Sequence, residues 1–251
     1  MDQCCPALPC PHGKLGATRR VASIRTMPLL DLTSAAQDYL KLIWIGAERA
    51  AAPVTVGGLA KSLAISASTA SEGVRKLAEA GLVVHARYGH VELTAAGREQ
   101  AAVLVRRHRL LETFLVEILG YGWDEVHGEA DVLEHAVSET LTERIDRLLG
   151  HPARDPHGAP IPSTESAADS ENEVLLSAAP AGTWLTLTRV SDADPALLRY
   201  CAGLGLLPGT ELTVAEPRPF AAGTMVRLTG QEAGIEIGPE AADAIWVCPR
   251  P

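Results

Sequence analysis

The spacing of apolar residues along this chain changes from helical to alternating twice, and each change predicts a different layer of structure. In SAAQDYLKLIWIGAER, residues 34 to 49, Leu40, Ile43, Trp44 and Ala47 recur at i, i+3, i+4 and i+7, the pattern of an amphipathic helix. Thr55 then stands before Val56, Leu59, Ala60 and Leu63, so it can cap a short helix that breaks at Ile65 and Ser66. In SASTASEGVRKLAEAG, Ala67, Ala70, Val74 and Leu77 repeat at helical spacing and leave Ser68, Thr69, Ser71, Glu72, Arg75 and Lys76 on the open face. Gly81 ends that helix, and LVVHAR and HVELT read as two strands around Tyr88 and Gly89. Two short helices on a tight turn, followed by a hairpin, predict a winged helix-turn-helix. Small hydroxyls at the start of its second helix let backbone approach phosphates and base edges. A helical subdomain with no DNA role fits the same periodicity but leaves those hydroxyls without a purpose.

From residue 101 to 150 the pattern predicts two long amphipathic helices. Their apolar positions are Leu104, Leu111, Leu115 and Ile118, then Val132, Leu133, Val137, Leu141, Ile145 and Leu148. This is more than one face buried within a monomer requires, and the surplus predicts a homodimer. Residues 151 to 180 are rich in Pro, Ser and Ala and read as a linker. Beyond them TWLTLTRV, TELTVAEP, TMVRLTG and GIEIG are short strands, with DPALLRYCAGLG as one helix, so residues 181 to 251 predict a small β-barrel. The expected organisation is α+β: an extension at 1–30, a winged helix at 31–100, a helical body at 101–150, a linker and a barrel.

Charge sharpens this division. The 251 residues carry 22 Lys plus Arg against 31 Asp plus Glu, a net of -9, which excludes a general polyanion binder. Residues 53 to 112 differ, with eight basic against five acidic side chains, so one basic module is set in an acidic protein. No apolar run approaches the ~20 residues of a membrane span, and the first thirty residues lack the apolar core of a secretory signal. The expectation is a cytoplasmic protein with a disordered extension. Cys4, Cys5, Cys10 and His12 in that extension have no second half-site for a metal, and an odd total of five cysteines argues against a disulfide framework.

The candidate chemistry lies in HGEADVLEHAVSETLTERIDRLL. At helical spacing Asp131, Glu134 and His135 share one face with His127 one turn earlier. RRHRLLETFLVEIL adds His108 and Glu112 at i, i+4, and Asp38 sits on the first helix. Any one of these acids is more often a solvated helix face. Together, beside a DNA-reading motif, they predict a metal site built from oxygen and nitrogen donors.

At these residues the chain resembles the iron- and manganese-dependent repressors typified by the diphtheria toxin repressor and the manganese transport regulator. The resemblance covers residues 31 to 251 through AAQDYLKLIW, SASTASEGVRKL, RRHRLLE, WDEVHGEADVLEHAVS and RDPHGAPIP, and is closest to actinobacterial manganese regulators with an SH3-like, FeoA-type C-terminal domain. It implies a metal-binding and dimerisation role for the helical body, and metal-activated homodimers that repress metal-uptake genes by binding inverted-repeat operators on double-stranded DNA. It implies a regulatory site from Asp38, Asp131, Glu134 and His135, and an ancillary site from His108, Glu112, His127 and barrel residue Asp194, with Leu197 where a second polar ligand is common. It places Ser66, Ser68 and Glu72 facing bases, and Thr69 and Ser71 facing phosphates. Two-domain relatives carry a carboxylate at the position of Lys41 and use it to hold a second ion close to the first, so this chain is expected to have two more widely separated sites. Iron-responsive relatives place a thioether at the position of Asp38.

The resulting expectation is a Mn(II)-dependent repressor, with Fe(II) as the alternative ion, no small-molecule substrate and no membrane partner. A metal-dependent hydrolase is the reading of another class, but neither HExxH nor a nucleophile-and-base arrangement is present. The expected switch rests on repulsion: unpaired carboxylates would hold the helix of Asp38 away from that of Glu134 until a cation joined them.

Overall fold

The computed structural model describes residues 32–49, 53–85, 89–163, 172–216 and 222–250. The amino-terminal cysteines, His12 and Tyr88 lie outside these residues. Helix α1, Ser34–Arg49, occupies the stretch that its periodicity predicts and buries Leu40 and Ile43. Trp44 is only half buried and Ala47 is exposed, whereas Tyr39 and Lys41 are buried on the neighbouring flank. Helices α2, Val56–Ser62, and α3, Ala67–Glu79, follow. Thr55 caps α2 by accepting from the Gly58 amide, and Ser66 caps α3 by accepting from Thr69. Strands β1, Val83–His85, and β2, Val91–Leu93, pair antiparallel with Val83 opposite Leu93 and form the wing.

Helix α4, Ala95–Glu117, starts at a Thr94 cap and runs unbroken from the winged helix into the helical body, across the boundary expected at 100. The single helix expected over 127–149 is two: α5, Val126–Leu133, and α6, Glu139–Leu148. The physical reason is Ser138, whose hydroxyl caps α6 by accepting from Leu141, while residues 134–136 turn out of the helical path. Leu110, Leu111, Leu115, Val126, Ala130 and Ile145 form the core between these helices, completed by Ile161.

Ile161 belongs to the segment expected as a linker, which is built into the fold at both ends. Asp155 accepts from the amides of His157 and Ala159 and closes a compact turn over DPHGA. Strand β3, Val174–Leu175, is already part of the C-terminal sheet. That sheet adds β4, Trp184–Val190; β5, Glu211–Val214; β6, Thr224–Leu228; β7, Ile235–Ile237; and β8, Ile245–Pro249. Its order is β3-β8-β4-β5-β6-β7, antiparallel throughout. Leu185, Leu187, Leu212, Val226, Ile237, Ile245 and Val247 meet in one core with Leu198 and Cys201 of helix α7, Pro195–Leu204, so the sheet wraps around its own interior.

The DPHGA turn docks against β4 through Gly158. Its φ is +89°, and a Cβ there would lie 2.0 Å from the Thr188 carbonyl oxygen, so only glycine permits the approach. Gly158→Ala is expected to destabilise the chain by about 2–4 kcal/mol, combining overpacking with a left-handed backbone. Gly203→Ala in α7, where a Cβ meets nothing, should be neutral or slightly stabilising. Thermal unfolding of the two variants checks the contrast.

Candidate metal centre

Three pieces of chain, α1, α4 and α5 with the turn that follows it, bring donors to one junction. Helix α1 supplies Asp38 and, one turn on, Lys41. Helix α4 supplies His108 and Glu112, α5 supplies His127 and Asp131, and the turn after α5 supplies Glu134 and His135. Asp38 Oδ1 lies 3.1 Å from His135 Nε2, and Glu134 Oε1 lies 3.7 Å from the same nitrogen. His108 joins this group to the next: its Nδ1 is 2.6 Å from Glu134 Oε2 and its Nε2 is 3.0 Å from Glu112 Oε1. His127 Nδ1 is 3.0 Å from Glu112 Oε1 and 3.4 Å from Asp192 Oδ2.

Two donor sets result, each with ligand atoms within 4.8 Å of one another: Asp38, Glu134 and His135, and His108, Glu112, His127 and Asp192. Asp131 stands between them, 3.4 Å from His108 Nδ1 and 3.7 Å from His127 Nε2, and forms a further such group with His108 and Glu134. The structure does not bring Asp194 to the cluster. Its carboxylate caps α7 by accepting from Ala196, and the barrel residue facing His127 is Asp192, two positions earlier.

Sequence reasoning also missed Asp155 and His157, which form a group with Glu112. Their signal was available in RDPHGAPIP, where an Asx turn followed by a histidine interrupts a Pro-rich stretch. Glu112 Oε2 and His157 Nδ1 are buried, 3.7 Å apart, and neither makes a hydrogen bond among the described residues. Orphaned oxygen and nitrogen donors facing each other, with no sulfur nearby, fit a divalent first-row ion.

Charge compensation here is tight. Glu112 is fully buried, which opposes its ionisation, yet His108, His127 and His157 hold its carboxyl well below the usual range. Burial works against charge on His108 too, but Glu112 and Glu134 outweigh it and raise its pKa to about 10. The same contest lifts His157 to about 9, through Glu112 and Asp155. Burial pushes Asp155 up to about 7, with Glu112 adding to the shift. The expected repulsion between α1 and the Glu134 segment is not what the structure has. Lys41 of α1 reaches Asp131 Oδ1 and Glu134 Oε1, each at 2.7 Å, and supplies the positive charge between the carboxylates.

On the DNA side, the Ser66, Ser68 and Thr69 hydroxyls cluster at the start of α3, with Oγ atoms of Ser66 and Ser68 2.8 Å apart. Ser71, Glu72, Arg75 and Lys76 are exposed on the helix. Glu72 pairs with Arg75 at 2.6 Å and stands 3.7 Å from Lys76, and Arg75 also pairs with Glu79. Such exposed pairs add little stability. Tyr39, the neighbour of Asp38, donates to the Thr69 carbonyl at 3.4 Å. Its ring lies where a Cβ on Gly73 would be 2.6 Å away, so α1 and α3 pack in direct contact.

A winged helix whose first helix shares a buried set of oxygen and nitrogen donors with a helical body defines a metal-responsive DNA-binding protein. Family models agree: residues 31–91 match the iron dependent repressor N-terminal DNA binding domain, residues 94–163 its metal binding and dimerisation domain, and residues 174–249 the FeoA domain. The iron-dependent repressor IdeR of Mycobacterium tuberculosis is 33% identical over 229 residues, covering 86% of this chain and 98% of that protein. The diphtheria toxin repressor of Corynebacterium diphtheriae is 31% identical, covering 67% and 70%. A solved structure described as a manganese-dependent transcriptional repressor in complex with manganese is 50% identical, with a TM-score of 0.80 and coverage of 86% and 100%. The chain belongs to the iron-dependent repressor/diphtheria toxin repressor family of metal-dependent transcriptional repressors, which are not enzymes. Its C-terminal sheet is the family's SH3-like FeoA domain. No helix among the described residues is long and apolar enough to cross a membrane.

Two outcomes test the geometry. Asp192→Ala should weaken metal binding at the cluster around His127, whereas Asp194→Ala should leave it unchanged and cost about 1 kcal/mol of stability through the lost cap; calorimetric titration alongside thermal unfolding separates them. Glu112 and Glu134 hold His108 in its protonated form above the ordinary imidazole range, and ligation requires the free electron pair. Metal uptake should therefore release protons, and affinity should climb as pH rises toward about 10. Titrations in buffers of different ionisation enthalpy count those protons.

Proposed function

We propose that this chain is a Mn(II)-dependent repressor that binds inverted-repeat operators as a homodimer and controls manganese uptake and homeostasis genes. The observation that carries the reading is the donor set itself. Asp38, Glu134 and His135, with Asp131 beside them, form the regulatory site, and His108, Glu112, His127 and Asp192 the ancillary one; all are hard oxygen or imidazole donors with no thiolate or thioether among them. Manganese is the weakest binder of the first-row series and favours such donors. The likeness to a manganese-dependent repressor at 50% identity supports the same ion, while the mycobacterial and corynebacterial relatives support Fe(II) as the second reading.

A bound divalent cation supplies positive charge that several carboxylates share at once. The chain's residues supply the coupling. Asp38 on α1 and Glu134 and His135 beyond α5 fix the first helix of the winged module against the helical body. Tyr39, next to Asp38, passes that position to α3 through Thr69 and Gly73. Helix α3 then presents Ser66, Ser68 and Glu72 to bases, Thr69 and Ser71 to phosphates, and Arg75 and Lys76 to the backbone alongside. Ile118, Leu119, Val132, Leu141 and Leu148 are all exposed and offer the apolar face for a second copy. Because metal and DNA favour one arrangement, each must strengthen binding of the other by the same factor.

The test is affinity for a labelled palindromic promoter fragment. Chelated protein should bind far more weakly than Mn(II)-loaded protein, and Glu134→Ala should remove the difference; equal affinity with and without Mn(II) rejects the switch. Asp38→Met should weaken Mn(II) activation more than Fe(II) activation when both are titrated anaerobically, because a thioether suits Fe(II) better than Mn(II). An unchanged ratio moves selectivity to the ancillary ligands.

A further inference from the structure

Lys41 is nearly all buried, at 6% exposure, and its ammonium lies 2.7 Å from both Asp131 Oδ1 and Glu134 Oε1. His108 takes the other oxygen of Glu134 at 2.6 Å. In this arrangement both oxygens of a proposed regulatory ligand are engaged by side chains of the chain, Lys41 and His108. From the geometry we propose that Lys41 is a built-in competitor for the regulatory site: its ammonium occupies the charge position between Asp131 and Glu134, and its displacement sets the metal concentration at which the protein responds. The inference rests on the metal-binding reading above and adds to it a residue that no ligand assignment includes.

Three observations carry it. First, the buried Lys41 nitrogen is shared between two carboxylates from the far side of the junction, Asp131 Oδ1 and Glu134 Oε1, each at ion-pair distance. Second, Lys41 and Asp38 lie one turn apart on α1, so a cation reaching Asp38 meets the lysine's partner Glu134 at once. Third, the displaced charge has no free partner nearby. A cavity of about 30 Å³ beside Lys41 is lined by Glu48 and Asp192, but these carboxylates are already paired with Arg109 and Arg49, so an ammonium driven from Asp131 and Glu134 returns to them when the metal leaves.

The physical consequence has opposite signs for stability and affinity. Removing the charge leaves Asp131, Glu134 and half-buried Asp38 facing one another, which destabilises the metal-free fold and deepens the negative potential that attracts a divalent ion. A residue that merely props the fold would lower both.

The experiment compares wild type, Lys41→Gln, Lys41→Met and Lys41→Arg, measuring Mn(II) affinity by calorimetry or by the electron paramagnetic resonance of free Mn(II), together with thermal midpoints in chelator. The expected result is that Gln and Met bind Mn(II) about tenfold more tightly with a lower metal-free midpoint, while Arg stays near wild type. Met keeps the length of the stem, so it carries the comparison should Gln fail to fold. Wild type that binds Mn(II), with neutral variants that bind equally or more weakly, overturns the competitor and leaves the metal site standing. Arg and Gln shifting alike also overturns it, because charge is then not the cause. A wild type and neutral variants that all bind no Mn(II) overturn the metal reading itself and this inference with it.

Discussion

A carboxylate with no exposed surface, Glu112, sets the conditions that the rest of the molecule meets. An ionised group removed from water is tolerated only when charges and donors close around it. Here they come from different places: His108 one turn along α4, His127 from α5, and His157 from the DPHGA turn. Each is itself buried or half buried and needs a further partner, so the requirement spreads outward to Glu134, Asp155 and Asp192. The junction of winged helix, helical body and C-terminal sheet is therefore polar at its centre and apolar around it.

This arrangement ties α1 at both ends. Near its start Asp38 and Lys41 face the turn after α5; at its end Arg49 pairs with Asp192 at 3.2 Å, and Arg189 of β4 donates to the Glu48 carbonyl. The Glu48 carboxylate is held by Arg109 of α4, whose Nε lies 3.5 Å from Asp155. The C-terminal sheet thus touches the same helix that carries the donors, and Asp192 takes part in both the ion pair to α1 and the cluster around His127.

Elements whose signal is local were legible in the sequence. The span of α1, the Thr55 cap, the α3 register and strands β4 to β7 follow from periodicity and turn chemistry, and from these the winged helix and the small sheet could be read. Strand β8 and the turn at Glu134 were not. β8 is a short apolar run whose place depends on pairing with β4 and β3, and the break after Leu133 depends on Ser138 winning the Leu141 amide in a stretch that otherwise keeps helical spacing. Most of the donors could be named because residues one turn apart on a helix share a face. Asp192 and the pair Asp155 and His157 could not, since only long-range packing brings a loop to Glu112. Lys41 was visible as an odd residue, but its role as counter-charge depends on distances across the α1 and α5 segments.

Helix α5 is only eight residues long, yet adjacent positions on it serve two surfaces. Asp131 points into the polar junction, while Val132 is 71% exposed on the apolar side, in the region that matches the family's metal binding and dimerisation domain. A helix of barely two turns cannot shift on one side without shifting on the other. In the proposed metal-activated dimer, protomer concentration and metal concentration are then thermodynamically exchangeable: raising either lowers the amount of the other needed to reach the same occupancy. On that proposal, a cell that makes more of this protein sets its response to a lower level of free metal, with no change in any ligand.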